Sequence, residues 1–261
     1  MSLSALERKE FIVKKIHLEG KIRSDELVDE LQVSFETIRR TLEELEKENK
    51  LKRVYGGAVK LTLDRMEPVY RQREHLYVTE KEKIGRAGAG LVQDNDVILI
   101  DDGTTPLQMI HYLTNTKGLT VITNSFPAVH CLQDYKNRGM FDGDIVVIGG
   151  MVNSHQDRVS GVLAERMLEG FHANKAFISI DGIQLKKGIT SYDADRGSLV
   201  RKFIEHAEQT IVMTDHSKIG AVKMYKIADV REVDIIISDV EVPEAWADTL
   251  DRCDTTWMHA K

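Results

Sequence analysis

Residues 33–58 read VSFETIRRTLEELEKENKLKRVYGGA, and this stretch decides how the first part of the chain folds. Ser34 is a residue type that caps helices, and Val33 just before it is placed to pack on Ile38 as a hydrophobic staple. A helix is therefore expected to begin at Phe35. Along it Ile38, Leu42 and Leu45 form one apolar face, while Glu36, Thr37, Arg39, Arg40 and Glu43 spread over the other sides. Beyond Asn49 two short β-prone runs flank Gly56 and Gly57, the pattern of a hairpin, with Lys52, Arg53 and Lys60 around it.

Upstream, Leu6, Phe11, Ile12, Ile16 and Leu18 fall close to a helical period, and Gly20 ends that helix. Ser24 reads as the N-cap of a short second helix with Leu27, Val28 and Leu31 on one face. Three helices followed by a hairpin make a winged helix-turn-helix. Its third helix would enter the major groove by its first turns, where two adjacent arginines stand. The planar fork of arginine bonds two acceptors at once, on guanine or on phosphate. The candidate contacts to double-stranded DNA are Ser34, Phe35, Glu36, Thr37, Arg39 and Arg40 on the helix, with Lys52, Arg53, Tyr55 and Gly56 on the wing. Pattern alone describes a solvated three-helix bundle equally well.

The chain has 261 residues and a formal charge of −6. Met1 to Gly57 holds 12 Lys and Arg against 12 Asp and Glu, leaving 24 against 30 for the rest, so the acidity belongs to the remainder. A neutral domain binds DNA if its cations gather on one face, because phosphate neutralisation is local. Modest affinity per copy then favours binding as an oligomer.

Residues 61–78 read as a polar connector containing Pro68, and residues 79–261 as a second domain. Within that domain six short β-branched, apolar runs are separated by stretches long enough for crossover helices: 97–100, 119–122, 145–148, 176–180, 210–213 and 234–237. Such runs predict a mostly parallel sheet covered on both faces, an α/β domain. In open α/β sheets ligands bind outside the carboxyl ends of the strands. Those ends read Asp101-Asp102-Gly103-Thr104-Thr105, Thr123-Asn124-Ser125, Gly149-Gly150, Asp181-Gly182 and Asp215-His216-Ser217-Lys218. Gly103 is expected to let backbone approach a ligand, and Thr104 and Thr105 to open a helix whose free N–H groups favour an anion such as phosphate. Lys218 and Lys81 would supply positive charge, and Asp101 and Asp181 would accept bonds from sugar hydroxyls. Together these groups describe a site for a phosphorylated polyol. Taken singly, a Gly-Thr-Thr after a strand is also an ordinary helix start, and a lone lysine an ordinary surface charge.

The chain resembles the DeoR family of bacterial regulators. In the first domain the resemblance rests on Ser34, Thr37, Ile38, Arg39, Arg40, Leu42, Leu45, Glu46, Gly56, Gly57 and Ala58; Thr41 stands where the family usually has Asp, and Tyr55 where His is common. Thr41 bears on the base preference of the recognition helix. In the second domain EKEKIGRAGAGLV, DDGTTP, VITNS, VVIGG, SGVLAERML, AFISIDGI, GITSYDADRG and TDHSKIG follow the family in order. The resemblance implies a sensor domain related in fold to ribose-5-phosphate isomerase and responsive to phosphorylated sugars or related intermediates. It implies ligand contacts at Gly103, Thr104, Thr105, Asn124, Ser125, Asp181 and Lys218, and Asp195 falls where the family often has Glu. Repression relieved by the ligand follows from the same resemblance, with activation as the alternative.

An isomerase moving a proton between adjacent carbons needs a placed carboxylate base. The related isomerases extend the Asp-Gly to Asp-Gly-x-Asp, whereas this chain reads DGIQLKKGITS, with Gln184 in place of the second carboxylate. Binding without catalysis is expected, and no catalytic residue is assigned. A sugar-phosphate isomerase carrying a DNA-binding appendage is the rival. No dinucleotide or P-loop fingerprint follows a strand, so no cofactor is expected. The nine histidines show no metal-ligand pairing, and His155 and His216 read as hydrogen-bonding loop residues. The segment NSHQDRVS, residues 153–160, reads as a loop over the ligand or as a plain connector, and Trp246 and Trp257 as packing or self-association residues. Cys131 and Cys253 are far apart, with no disulfide framework. A charged start and the lack of any run near the roughly 18 apolar residues of a membrane span predict a cytoplasmic protein with no membrane partner. Self-association as a dimer or tetramer would place two winged helices on an operator.

Overall fold

A computed structural model describes residues 5–48, 50–60 and 67–261, and the chain divides into two units, Met1–Asp64 and Arg65–Lys261. The first holds α1 (Ala5–Glu19), β1 (Lys21–Arg23), α2 (Ser24–Leu31), α3 (Phe35–Lys47), β2 (Leu51–Val54) and β3 (Gly57–Lys60). Ile12, Ile16, Leu27, Ile38, Leu42 and Leu45 are buried together in its core, and Val33 packs against them, as the staple requires. Ser34 caps α3 by accepting a bond from the Thr37 amide.

Two details depart from expectation. Ser24 is the first residue of α2, whose cap position is Arg23; the Ser24 amide donates to Gly56 O at 2.8 Å. β1 also appears where no strand was expected. It completes a three-stranded sheet in the order β1-β3-β2, and three residues are too few to carry a pattern. The two glycines of the wing then have separate causes. Gly56 has φ +79°, which the two-residue turn demands, whereas a Cβ on Gly57 would lie 2.1 Å from Ile22 O on β1.

The second unit contains α4 (Tyr70–Arg73), α5 (Val78–Ala89), β4 (Val97–Ile100), α6 (Thr104–Met109), β5 (Thr120–Thr123), α7 (Phe126–Asn137), β6 (Asp144–Val147), β7 (Met151–Asn153), β8 (Arg158–Ser160), α8 (Val162–Leu168), β9 (Ala173–Ile178), β10 (Gly182–Gln184), β11 (Gly188–Ser191), α9 (Ala194–Glu205), β12 (Ala207–Thr214), β13 (Tyr225–Ala228), β14 (Ile235–Ser238), α10 (Ala247–Asp251) and β15 (Thr256–His259). Seven strands form one sheet in the order β15-β14-β12-β9-β4-β5-β6, every neighbouring pair parallel. The six expected runs are all in it, and β15 is the seventh. Both faces are covered, which explains the unbroken apolar runs. Ile98 and Ile100 face a core with Ile84, Met109 and Leu132, while Leu99 between them faces Leu168, Leu199 and Phe203.

From β4 the chain winds outward to β5 and β6, then returns to the other side of β4 at β9 and winds the opposite way. The direction of winding reverses between β4 and β9, and ligand crevices in such sheets open at that point. Of the expected connector, residues 61–66 lie outside the described residues, but residues 67–78 belong to the second unit. Tyr70 is buried there, and its amide donates to His155 O at 3.0 Å.

Candidate functional site

On α3 the side chains of Phe35, Glu36, Arg39 and Arg40 are exposed. Both arginines are held by carboxylates of their own helix. Arg39 pairs with Glu36 at 2.7 Å and Glu43 at 3.1 Å, and Arg40 with Glu44 at 3.3 Å. Glu43 also reaches Arg53 of β2 at 3.0 Å, and Glu46 accepts from the Arg53 amide at 2.7 Å. The helix and the wing are thus joined by two glutamates whose contacts with Arg53 the sequence pattern does not show. Tyr55 at the wing tip is fully exposed. Thr41 is buried: its hydroxyl donates to Thr37 O and accepts from Arg8 Nε at 3.2 Å. That position faces α1, so the departure from the usual Asp changes helix packing and not the exposed surface of α3.

At the sheet, parallel strands bring all the expected ends to one edge. Several are tied up internally. The Thr123 hydroxyl donates to Ile100 O at 2.7 Å and accepts from the Ser125 amide, and Ser125 caps α7. Gly103 is needed for close packing within the fold, because a Cβ there would lie 2.1 Å from Ser179 Oγ. Thr104 and Thr105 are buried at the start of α6. Gly149 and Gly150 are exposed beyond β6, two strands from the reversal. Asn124 is buried and donates to Val159 O, while its Oδ1 has no hydrogen-bond partner among the described residues.

The crevice between β4 and β9 holds Arg196, which the sequence reading passed over. Asp193 caps α9 by accepting from the Arg196 amide, and the first turn then sends the guanidinium inward. Its Nη2 lies 2.6 Å from Asp101 Oδ2, Nε 3.0 Å from Asp102 Oδ1, and Nη1 3.3 Å from Asp181 Oδ2. Beside it stands Arg158 from β8, fully buried, with Nη1 2.8 Å from Glu67 and 3.2 Å from Asp102, and Nη2 3.2 Å from Asp193. Residues 153–160 are accordingly a hairpin with Gln156 and Arg158 turned inward, not a loose loop. Burial pushes Asp101 up to about 7, with Arg196 pulling against it and Asp102 adding to it. Asp102 is held well below the usual carboxylate range: burial opposes this, but Arg196 and Arg158 outweigh it. Asp101 Oδ1 and Arg158 Nε, like Asn124 Oδ1, have no partner among the described residues.

Lys81 is buried, with its Nζ donating to Arg73 O. Burial brings it down to about 8; Asp215 opposes this, while Lys218 and Arg73 add to it, so Lys81 and Lys218 share one neighbourhood. A cleft of about 600 Å³ opens beside Arg158, lined among others by Glu67, Asn153, His155, Tyr192 and Asp195. Asp195 is exposed there. His216 pairs with Asp239 at 2.6 Å. Trp246 and Trp257 meet edge to face at 6.2 Å, and Trp257 Nε1 donates to Val240 O, so both belong to the packing of this unit.

Residues 8–62 match the DeoR-like helix-turn-helix domain, and residues 77–240 the DeoR C terminal sensor domain. The chain belongs to the DeoR family of transcriptional regulators. It is 37% identical over 233 residues to the uncharacterized HTH-type transcriptional regulator YulB of Bacillus subtilis (strain 168), covering 89% of this chain and 88% of that one. It is 34% identical over 246 residues to the HTH-type transcriptional repressor GlcR of the same organism, covering 94% and 93%. With these relatives the chain is a regulator and not an enzyme. Ribose 5-phosphate isomerase A from Methanocaldococcus jannaschii overlaps 53% of each chain, at 18% identity and a TM-score of 0.38. Among the described residues no helix is long and apolar enough to cross a membrane.

Proposed function

We propose that this regulator represses a carbohydrate catabolic operon, and that a phosphorylated sugar bound at the carboxyl edge of the sheet changes its affinity for operator DNA. One observation carries the reading. Asn124 Oδ1 and Asp101 Oδ1, buried and without partners among the described residues, stand at the ends of the neighbouring strands β5 and β4, on the carboxyl edge that also carries Thr104, Thr105 and, beyond β12, Lys218 with its neighbour Lys81. Unpartnered acceptors suit sugar hydroxyls, and the lysines suit a phosphate. The name of GlcR supports repression. The effector acts only through different affinity for the two states of the protein. Binding as an oligomer is supported by apolar side chains exposed around β7 and the start of α8, where Met151 is 76% and Leu163 69% exposed. Replacing Leu163 by Asp should shift sedimentation toward the monomer.

The test is a thermal-shift screen of the whole chain over phosphorylated sugars, polyols and keto-acids, because a ligand of the folded state raises the melting temperature by mass action. A sugar phosphate that shifts the transition and also alters DNA retention is the expected result. No response to any sugar phosphate, with a response to another class, would remove this reading.

A further inference from the structure

Glu67 is the second residue after Arg65, where the sensor unit begins. Its side chain is 5% exposed and sits at the wall of the cleft between two arginines. Oε2 lies 2.8 Å from Arg158 Nη1 and Oε1 2.9 Å from Arg73 Nη2. The fit is incomplete. Oε1 lacks the alignment of a hydrogen bond despite its distance, and Arg158 Nε, also buried, has no partner among the described residues. Both cations have partners besides Glu67. Arg73 donates from Nε to Pro68 O at 3.2 Å and from Nη2 to Gln156 Oε1 at 2.8 Å, and Asp102 and Asp193 hold Arg158 from the other side. Holding the carboxylate there has a cost, since burial and then Asp181 raise its pKa above that of an ordinary glutamate.

We propose that Arg158 and Arg73, whose carbonyl accepts from Lys81 Nζ, extend the lysine pair into one anion site for the effector, a phosphate ester or a carboxylate, and that Glu67 is a competitor built into the chain. This rests on reading the unit as a sensor of an anionic metabolite. An anion entering with Glu67 in place would face it and the nearby Asp102, Asp193 and Asp195. Exchange with Glu67 removes the nearest of these repulsions and gives the Arg158 guanidinium, whose Nε has no partner among the described residues, a new acceptor in its place. The freed Glu67 no longer ties the chain to the sensor unit at its entry.

The experiment measures binding of inorganic phosphate and, separately, malonate to the whole protein by calorimetry at fixed ionic strength, with circular dichroism to confirm folding. Glu67→Gln and Glu67→Ala should each bind the preferred anion about tenfold more tightly than wild type, as expected when a competitor occupies the site in about nine of ten molecules. Adding Arg73→Gln should abolish the gain. A gain for phosphate alone assigns a phosphate ester, and one for malonate alone a carboxylate. Unchanged affinity for both anions in the folded Glu67 variants overturns the proposal, as does a gain that survives Arg73→Gln. A sugar phosphate that binds wild type and Glu67→Gln equally also overturns it, yet leaves the effector reading standing. If only malonate gains and no sugar phosphate binds, the competitor stands and the sugar-phosphate reading falls.

Discussion

Arg196 Nη2 lies 2.6 Å from Asp101 Oδ2 in the crevice where the winding of the sheet reverses. That crevice is where a ligand approaches in doubly wound sheets, and here a side chain of the protein fills its inner part. The cleft opens outside it, beside Arg158 and Asp195. Acceptors that sequence reading assigned to a sugar, Asp101 and Asp181, are thereby shared with an internal cation. One oxygen of Asp101 and the amide oxygen of Asn124 stay without a hydrogen-bond partner among the described residues.

Replacing Arg196 by Met should destabilise the second unit severely. Asp101, Asp102 and Asp181 would lose their shared guanidinium while fully or nearly fully buried. Removing one partner from a buried ionic cluster costs about 3–5 kcal/mol, because the charges left behind stay desolvated. Urea unfolding followed by circular dichroism reads this directly. A loss below about 1 kcal/mol would mean the cluster relaxes or takes up protons instead.

Asp101 makes a pH-dependent contribution whose sign is fixed by its shift. Its folded pKa, about 7, lies above the unfolded value of about 3.9, so between them the folded state holds the extra proton. Its stabilisation is complete below about pH 4 and is lost as pH rises through 7. Asp101→Asn carries no titrating group there. The stability of wild type relative to this variant should fall by on the order of 1 kcal/mol per pH unit from pH 4 to 7, then level off. Parallel stability curves for the two proteins would show that Asp101 titrates normally.

Much of this was legible in the sequence, for physical reasons that also mark where it stopped. The apolar runs at 97–100 and 234–237 had to be strands buried on both faces, and Ser34 with Val33 had to start a helix. Arg158 and Arg196 were not legible. Each sits in a polar stretch, VNSHQDRVS and SYDADRG, where an arginine reads as a solvated charge. Only the return of β9 beside β4 puts Asp101, Asp181 and Arg196 in one place. β15 was missed because an edge strand of four residues, TWMH, carries no continuous apolar run. The missing signal for Glu67 was similar, since a lone carboxylate next to Pro68 looks like part of a linker.

Lys81 should make effector binding pH-dependent. Burial, with Lys218 and Arg73 adding to it and Asp215 opposing, leaves it titrating at about 8. An anion binds its protonated form, so affinity for the sugar phosphate found in the screen should fall by up to about tenfold per pH unit above 8. The phosphate ester itself is already fully charged there. Lys81→Met should flatten that limb, and Lys218→Ala and Thr104→Ala should each weaken the response by about tenfold. Calorimetry across pH 7–10 tests the first point, and an effector titration of DNA release the second. Identical titrations for wild type, Lys218→Ala and Thr104→Ala would place the phosphate elsewhere.

Replacing Arg39 and Arg40 together by Ala should abolish operator binding while leaving the core of the first unit intact, since both side chains are exposed and, among the described residues, pair with glutamates of α3. On DNA each arginine must exchange its glutamate for a phosphate or base edge, and phosphate contacts release counterions. The dependence of binding on salt should therefore lose about one unit of slope for each arginine that contacts phosphate. A duplex selected from a random library by the wild-type protein serves as operator, with binding read by fluorescence anisotropy from 50 to 200 mM salt. Retention of wild-type affinity at the upper end of that range would show that α3 is not the recognition helix. A full loss of affinity with an unchanged salt slope in any residual binding would assign both arginines to base edges instead.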